Sequence, residues 1–212
     1  MPTRTGRPRS EAAHDAILRA ALRLVTRRGF RAVTVNEIAA EAGVGKMTLY
    51  RHWPNKAAVV MDSLLALIGD ETAFPDSGNA LQSLRHQLDL QAAFFRSLRG
   101  NLIRSLVSEM QSDPELATAF RERWLMPRRV GVQRTMQQAV SEGSLRNDFD
   151  IGTAIDLLYG AIYYRLLLGT GPLDERFIEN TYQQFVAGHG SHARPSRAKT
   201  RPDQTAKRGA LR

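Results

Sequence analysis

"VNEIAAEAGVGKMTLYRHWPNK", residues 35–56, joins a short apolar stripe, a glycine turn and a second short segment mixing lysine, arginine, histidine, methionine and aromatics. The first half opens with a capping box: Thr34 can accept a bond from the backbone N–H of Glu37, whose side chain reaches back. Val35, Ile38, Ala39 and Ala42 form one helical face, and Gly43 supplies the left-handed exit. In the second half Leu49 and Trp53, four apart, mark the inward face, with Val44 as an anchor. At about 100° per residue, Met47, Thr48 and Arg51 point outward, with Tyr50 and His52 on the flanks. Two short helices about a glycine turn make a helix-turn-helix, whose second helix enters the DNA major groove. A helix used only for packing rarely exposes Met and Tyr beside Arg and His. A surface for base edges, methyl groups and phosphates has reason to.

The same reading extends outward as helix throughout. Ser10 is placed to cap a first helix carrying Ala13, Ile17, Ala20, Ala21, Leu24 and Val25 on one face, with Arg27, Arg28 and Gly29 at its end. Asn55 is placed to cap a helix running to about Ile68. There its free N–H groups and Lys56 would favour a phosphate, or serve as an ordinary cap beside a solvated lysine. "TAFPDSGN" breaks the chain, and amphipathic segments follow at about 79–99, 101–111, 114–142, 150–168 and 174–187. Pro127 lies inside the long one and predicts a kink or break there. The tail is Ser, Arg, Pro, Lys and Thr with almost no apolar residue. The expected division is a flexible basic arm over 1–9, a DNA-binding domain over 10–56, a helical domain over 57–188 and a disordered basic tail over 189–212.

The net charge of +9 is unevenly spread. Residues 1–60 hold eleven Lys/Arg against four Asp/Glu, residues 61–190 twelve against sixteen, and residues 191–212 seven against one. A basic head on a mildly acidic body suggests a polyanion partner for the head. Arg4, Arg7 and Arg9 of the arm suit a narrow A·T-rich minor groove; the alternative is a solubilising end. The tail has similar composition, and nonspecific DNA affinity and plain solvation stay equally open. There is no cysteine, which removes disulfides and thiolate chemistry and fits a reducing compartment. No apolar stretch for export opens the chain, and the uncharged run around "LLYGAIYY" falls short of the roughly 20 residues of a bilayer span. A soluble cytoplasmic protein, nucleoid-associated when bound to DNA and without a membrane partner, is expected.

"TVNEIAAEAGVGKMTLYRHWPNKAAVV" closely resembles the DNA-binding core of the TetR/AcrR family of bacterial transcription regulators, typically A-G-V-S-x-x-T-L-Y-x-H-F-x-x-K. Ala42, Gly43, Val44, Thr48, Leu49, Tyr50, His52 and Lys56 match, and Trp53 stands for the usual phenylalanine. The resemblance implies an all-α protein, with an N-terminal three-helix DNA-binding domain and a larger helical domain for ligand binding and dimerisation. It assigns Thr48, Tyr50, His52 and Lys56 to phosphate positioning, and Asn36, Lys46 and Met47 to bases; Arg51 joins them from the outward face. Gly45 replaces the usual serine cap, a change of a few tenths of a kcal/mol. Met47 replaces a small residue, so base preference is not borrowed from relatives.

"GNLIRSLVSEMQSDPELATAFRERWLMPRR" resembles the C-terminal domain of one TetR subgroup. The resemblance implies an effector pocket among the middle helices, with Phe94, Leu98, Leu102, Leu106, Met110, Phe120 and Trp124 as candidates, each of which also reads as plain core. It implies a dimer through the last two helices, where Leu158, Ile162, Leu166, Phe177, Tyr182 and Phe185 are candidates. The expected partners are double-stranded DNA with a palindromic operator, a second copy of the chain and a small apolar or amphipathic effector. The expected activity is that of a sequence-specific repressor, without cofactor or resident metal.

Three other readings compete with this one. No nucleophile motif, phosphate loop or dinucleotide fingerprint accompanies the five histidines, so an enzyme is not expected. A nonspecific nucleic-acid-binding protein would carry basic charge along the whole chain. A regulator without a small ligand, governed by a protein partner or by abundance, stays open.

Overall fold

The computed structural model describes residues 7–69 and 78–191, with side chains from Glu11 onward. It is helical, with only an isolated bridge between Leu145 and Gly190 among the described residues. The head comprises α1 (Arg7–Arg28), α2 (Val35–Glu41), α3 (Lys46–His52) and α4 (Lys56–Ile68). The body comprises α5 (Ala80–Arg96), α6 (Leu98–Glu109), α7 (Pro114–Phe120), α8 (Met126–Ser141), α9 (Ile151–Leu168) and α10 (Glu175–His189), with a π-helical turn, Arg121–Leu125, between α7 and α8.

Local chemistry explains most boundaries. Side chains of Thr34, Asn55, Asn79, Ser97, Asp113, Asp150 and Asp174 each accept a backbone N–H at the start of the helix that follows. Each such cap contributes about 1 kcal/mol. The Thr34–Glu37 capping box is complete, and Gly43 exits α2 at φ +66, a conformation that disfavours any side chain. Ser97 closes α5 and caps α6 at once. At that elbow Gly100 is required, because a Cβ there would lie 2.6 Å from Phe95 Cα.

Three expectations are corrected. Helix α1 begins at Arg7, so Ser10 lies inside it rather than capping it. The segment expected to start at 101 starts at Leu98, directly after the shared cap. Residues 189–191 do not belong to a tail, and 192–212 lie outside the described residues: His189 ends α10 with its ring against Phe149 and Phe185, at 4.6 and 4.8 Å. Ser191 N–H then bonds Ser144 O at 3.0 Å. Pro127 does disturb its helix. It has no N–H to donate, and upstream of it the Met126 N–H reaches back to Arg121 O in the wide π turn.

In the head, α1 packs against α2 and α4. Ile17, Ala20, Ala21 and Val25 meet Ile38, Leu49, Trp53, Met61 and Leu64 in a closed core. In the body, α5 packs on α6, α8 and α10, and α9 lies between α8 and α10. Head and body meet where α4 touches α7 and the π turn. By length and composition α9 matches a bilayer-crossing helix, which the shorter uncharged run did not suggest. It also carries Asp156 and Arg165, and it buries Ala154, Ile155, Leu158, Ile162 and Leu166 in the body.

Candidate nucleic-acid interface

Helix α3 is fixed from beneath. Leu49 and Trp53 are fully enclosed, and the Trp53 indole N–H donates to Asp62 on α4 at 2.7 Å. The other oxygen of Asp62 takes the Arg123 guanidinium from the π turn. His14 of α1 lies over the Trp53 ring at 4.8 Å, and the His52 ring completes the cluster at 5.6 Å from Trp53. Gly45 provides no side-chain cap, so buried anchors rather than a cap hold this helix.

The opposite face is open. Met47 is 76% exposed, and Lys46, Tyr50, Arg51, His52 and, on α2, Asn36 are exposed with it; Thr48 is half-buried. The Lys46 ammonium lies 5.6 Å from the Tyr50 ring. The arrangement combines four cationic or hydrogen-bonding groups with a thioether and a phenol on one seven-residue helix. Such a set can contact phosphates, base edges and thymine methyl groups.

Lys56 has a partner within the fold. Its ammonium donates to Phe30 O at 2.8 Å and sits 4.0 Å from the Phe30 ring, and burial lowers its pKa. The lysine stem finds more contact over that ring than in solvent, so it ties α4 to the loop after α1. Arg4 lies outside the described residues. Arg7 and Arg9 belong to the first turns of α1 by backbone, and their side chains lie outside the description.

In the body, a cavity of about 330 Å³ opens among α5–α9. Met110 and Phe120 of the expected set line it. Phe94, Leu98, Leu102, Leu106 and Trp124 do not. Leu98 is 89% exposed at the start of α6, while Phe94, Leu106 and Trp124 are core, because the inward stripe of α6 serves the body before it reaches the cavity. Groups that sequence reading missed complete the wall: Gln91, Arg128, Arg129, Asp156, Tyr159 and Tyr163. Gln91 was detectable, since it and Gln87 interrupt the apolar stripe of α5 formed by Ala80, Leu84, Leu88 and Ala92. Arg128 stacks over Trp124 at 3.5 Å, and burial pushes its pKa down to about 10, leaving it charged at neutral pH.

Within one chain the expected dimer residues are already buried or half-buried. Leu158, Ile162, Leu166 and Phe185 are buried within one chain. Phe177 lies under the Arg165 guanidinium at 3.7 Å, and Tyr182 donates to Leu81 O at 3.2 Å. The apolar residues left uncovered on α9 are Leu157, Tyr164, Leu167 and Leu168.

Comparison with known proteins agrees with this geometry. Residues 17–61 match the model of bacterial regulatory proteins of the tetR family, and residues 74–185 match the tetracyclin repressor-like C-terminal domain. The chain is 39% identical over 188 residues to the HTH-type transcriptional regulator YdeS of Bacillus subtilis (strain 168), covering 89% of this chain and 95% of that protein. It is 30% identical over 173 residues to the DNA-binding transcriptional repressor TetR of Mycobacteroides abscessus, covering 80% and 90%. The crystal structure of the TetR family transcription regulator SCO0332 superposes with a TM-score of 0.70 at 31% identity, covering 83% of this chain and 97% of that one.

Proposed function

The chain belongs to the TetR family of helix-turn-helix transcriptional regulators, and from that premise we propose that it acts in the cytoplasm as a homodimeric repressor released by a small molecule. The face of α3 made by Lys46, Met47, Tyr50 and Arg51 reads one half of a palindromic operator, with Asn36 and Thr48 beside it. The two heads of the dimer lie about one helical turn of DNA apart, roughly 34 Å or a multiple of it. The uncovered α9 stripe supplies the contact between copies.

One observation carries the release mechanism. Phe120 and Leu125 line the cavity, while Arg123 between them holds Asp62, the acceptor of the Trp53 indole. One turn of backbone thus faces the cavity on one side and the reading head on the other. A ligand that wedges Phe120 and Leu125 apart shifts Arg123, Asp62 and the end of α3 together. Release requires tighter ligand binding to the DNA-incompetent setting.

The test needs no ligand. Operator sites are selected from randomised duplexes with the native protein, and inverted repeats are expected. Val132→Phe then fills the cavity from its buried wall. Operator affinity is expected to fall at least about tenfold, a modest allosteric coupling, with helicity unchanged. Undiminished operator affinity in a folded Val132→Phe protein overturns ligand release and leaves a regulator governed by other means.

A further inference from the structure

The wall of the cavity is polar at particular points, and its polarity has a sign. Its charged residues are Arg128, Arg129 and Asp156. Arg129 and Asp156 are engaged with each other, and a second Arg129 nitrogen bonds Gly152 O at 3.0 Å. The wall therefore carries one net positive charge. Gln91 is 2% exposed, and its amide nitrogen has no hydrogen-bond partner. A buried donor left unmade is destabilising, and here it lies at a cavity wall. Tyr163 accepts the Trp124 indole N–H at 3.0 Å, so its own proton is available to another acceptor. Burial raises the pKa of Tyr163 and keeps it a neutral donor. The donors outnumber the acceptors, while Val107, Phe120, Val132 and Ile155 make the rest of the wall apolar.

Resting on the ligand-release reading above, we propose that the effector is an amphipathic anion, a small carboxylic acid whose carboxylate accepts from the Gln91 amide and the Arg128 guanidinium while its apolar body packs against Val107, Phe120, Val132 and Ile155. A carboxylate has acceptor sites only, which suits this donor set. An ammonium head would face the net positive wall and leave Gln91 unsatisfied. An alcohol would satisfy one donor without compensating charge. The volume, near the lower end of the roughly 300–1,000 Å³ of ligand pockets, suits a short chain or a single ring system.

The experiment compares octanoate, octanol and octylamine by titration calorimetry on the full chain at neutral pH. Octanoate is expected to bind at least about tenfold tighter than octanol, the effect of one charge-assisted hydrogen bond, with octylamine weakest. Arg128→Gln is expected to erase that preference, bringing octanoate affinity down to that of octanol. Because Arg128 also stacks on Trp124 and its loss can disturb folding, Gln91→Leu is the second variant. It removes the unpaired amide, so the free protein melts higher while octanoate affinity drops several-fold. Octanol binding as tightly as octanoate, or a Gln91→Leu protein with native octanoate affinity, overturns the anion assignment and leaves the cavity reading intact. Failure of all three compounds to bind overturns the anion assignment, while the ligand-release reading stands or falls on Val132→Phe.

Discussion

At the scale of single residues, Glu37 shows how one side chain joins two helices. Its carboxylate accepts from Arg28 of α1 at 2.8 Å and from the backbone N–H and hydroxyl of Thr34, each at 2.8 Å. The Arg28 bond first, and then Thr34, lower its pKa from the ordinary 4.5 to about 2. A depressed carboxylate stabilises the fold fully above its unfolded pKa, and that contribution is lost as pH falls through the folded one. Glu37→Gln is therefore expected to melt below the native protein at pH 7. The gap should close between about pH 4.5 and pH 2, the window set by those two values, when melting is followed by circular dichroism across that range. A gap that persists unchanged at pH 2 would mean that packing, not ionisation, carries the contribution of Glu37.

At the scale of elements, the π turn lines the cavity with Leu125 and holds Asp62 of the head through Arg123. If Arg123 transmits the displacement, Arg123→Ala should restore most of the operator affinity lost in Val132→Phe. The double-mutant cycle should give a coupling of about 1–3 kcal/mol. Additive losses would place the transmission elsewhere. Most capped helices were legible in the sequence because a Ser, Thr, Asp or Asn and the apolar period behind it are local signals, although Ser97 was passed over and Ser10 lies inside α1. The outward face of α3 was legible for the same reason, since Leu49 and Trp53 set its rotation. The π turn was not, because Pro127 acts on carbonyls a full turn upstream. The contact of Lys56 with the head was hidden because its acceptor, Phe30 O, lies 26 residues away in a loop. The cavity wall was mostly hidden, because a void is defined by where helices fail to meet.

At the scale of the whole molecule, the proposed assembly turns on adjacent leucines. Leu157 is 65% exposed and Leu158 is 2% exposed. Periodicity marks both as apolar without saying which neighbour covers each. Replacing Leu157 and Leu168 with glutamate is expected to leave the melting transition nearly intact and to yield monomers in sedimentation at micromolar concentration. The monomers should bind a full operator about a hundredfold or more weakly, having lost the second head. A native dimer that survives both glutamates would exclude this stripe as the contact. The chain has two tryptophans, and they fall at the two ends of the proposed link between cavity and head. Trp53 is bonded to Asp62 beneath the reading helix, and Trp124 is stacked under Arg128 beside the cavity. Intrinsic fluorescence of the unlabelled protein thus contains two reporters, separable by Trp53→Phe and Trp124→Phe. The order in which their emission changes after rapid mixing would time the signal as it crosses the molecule.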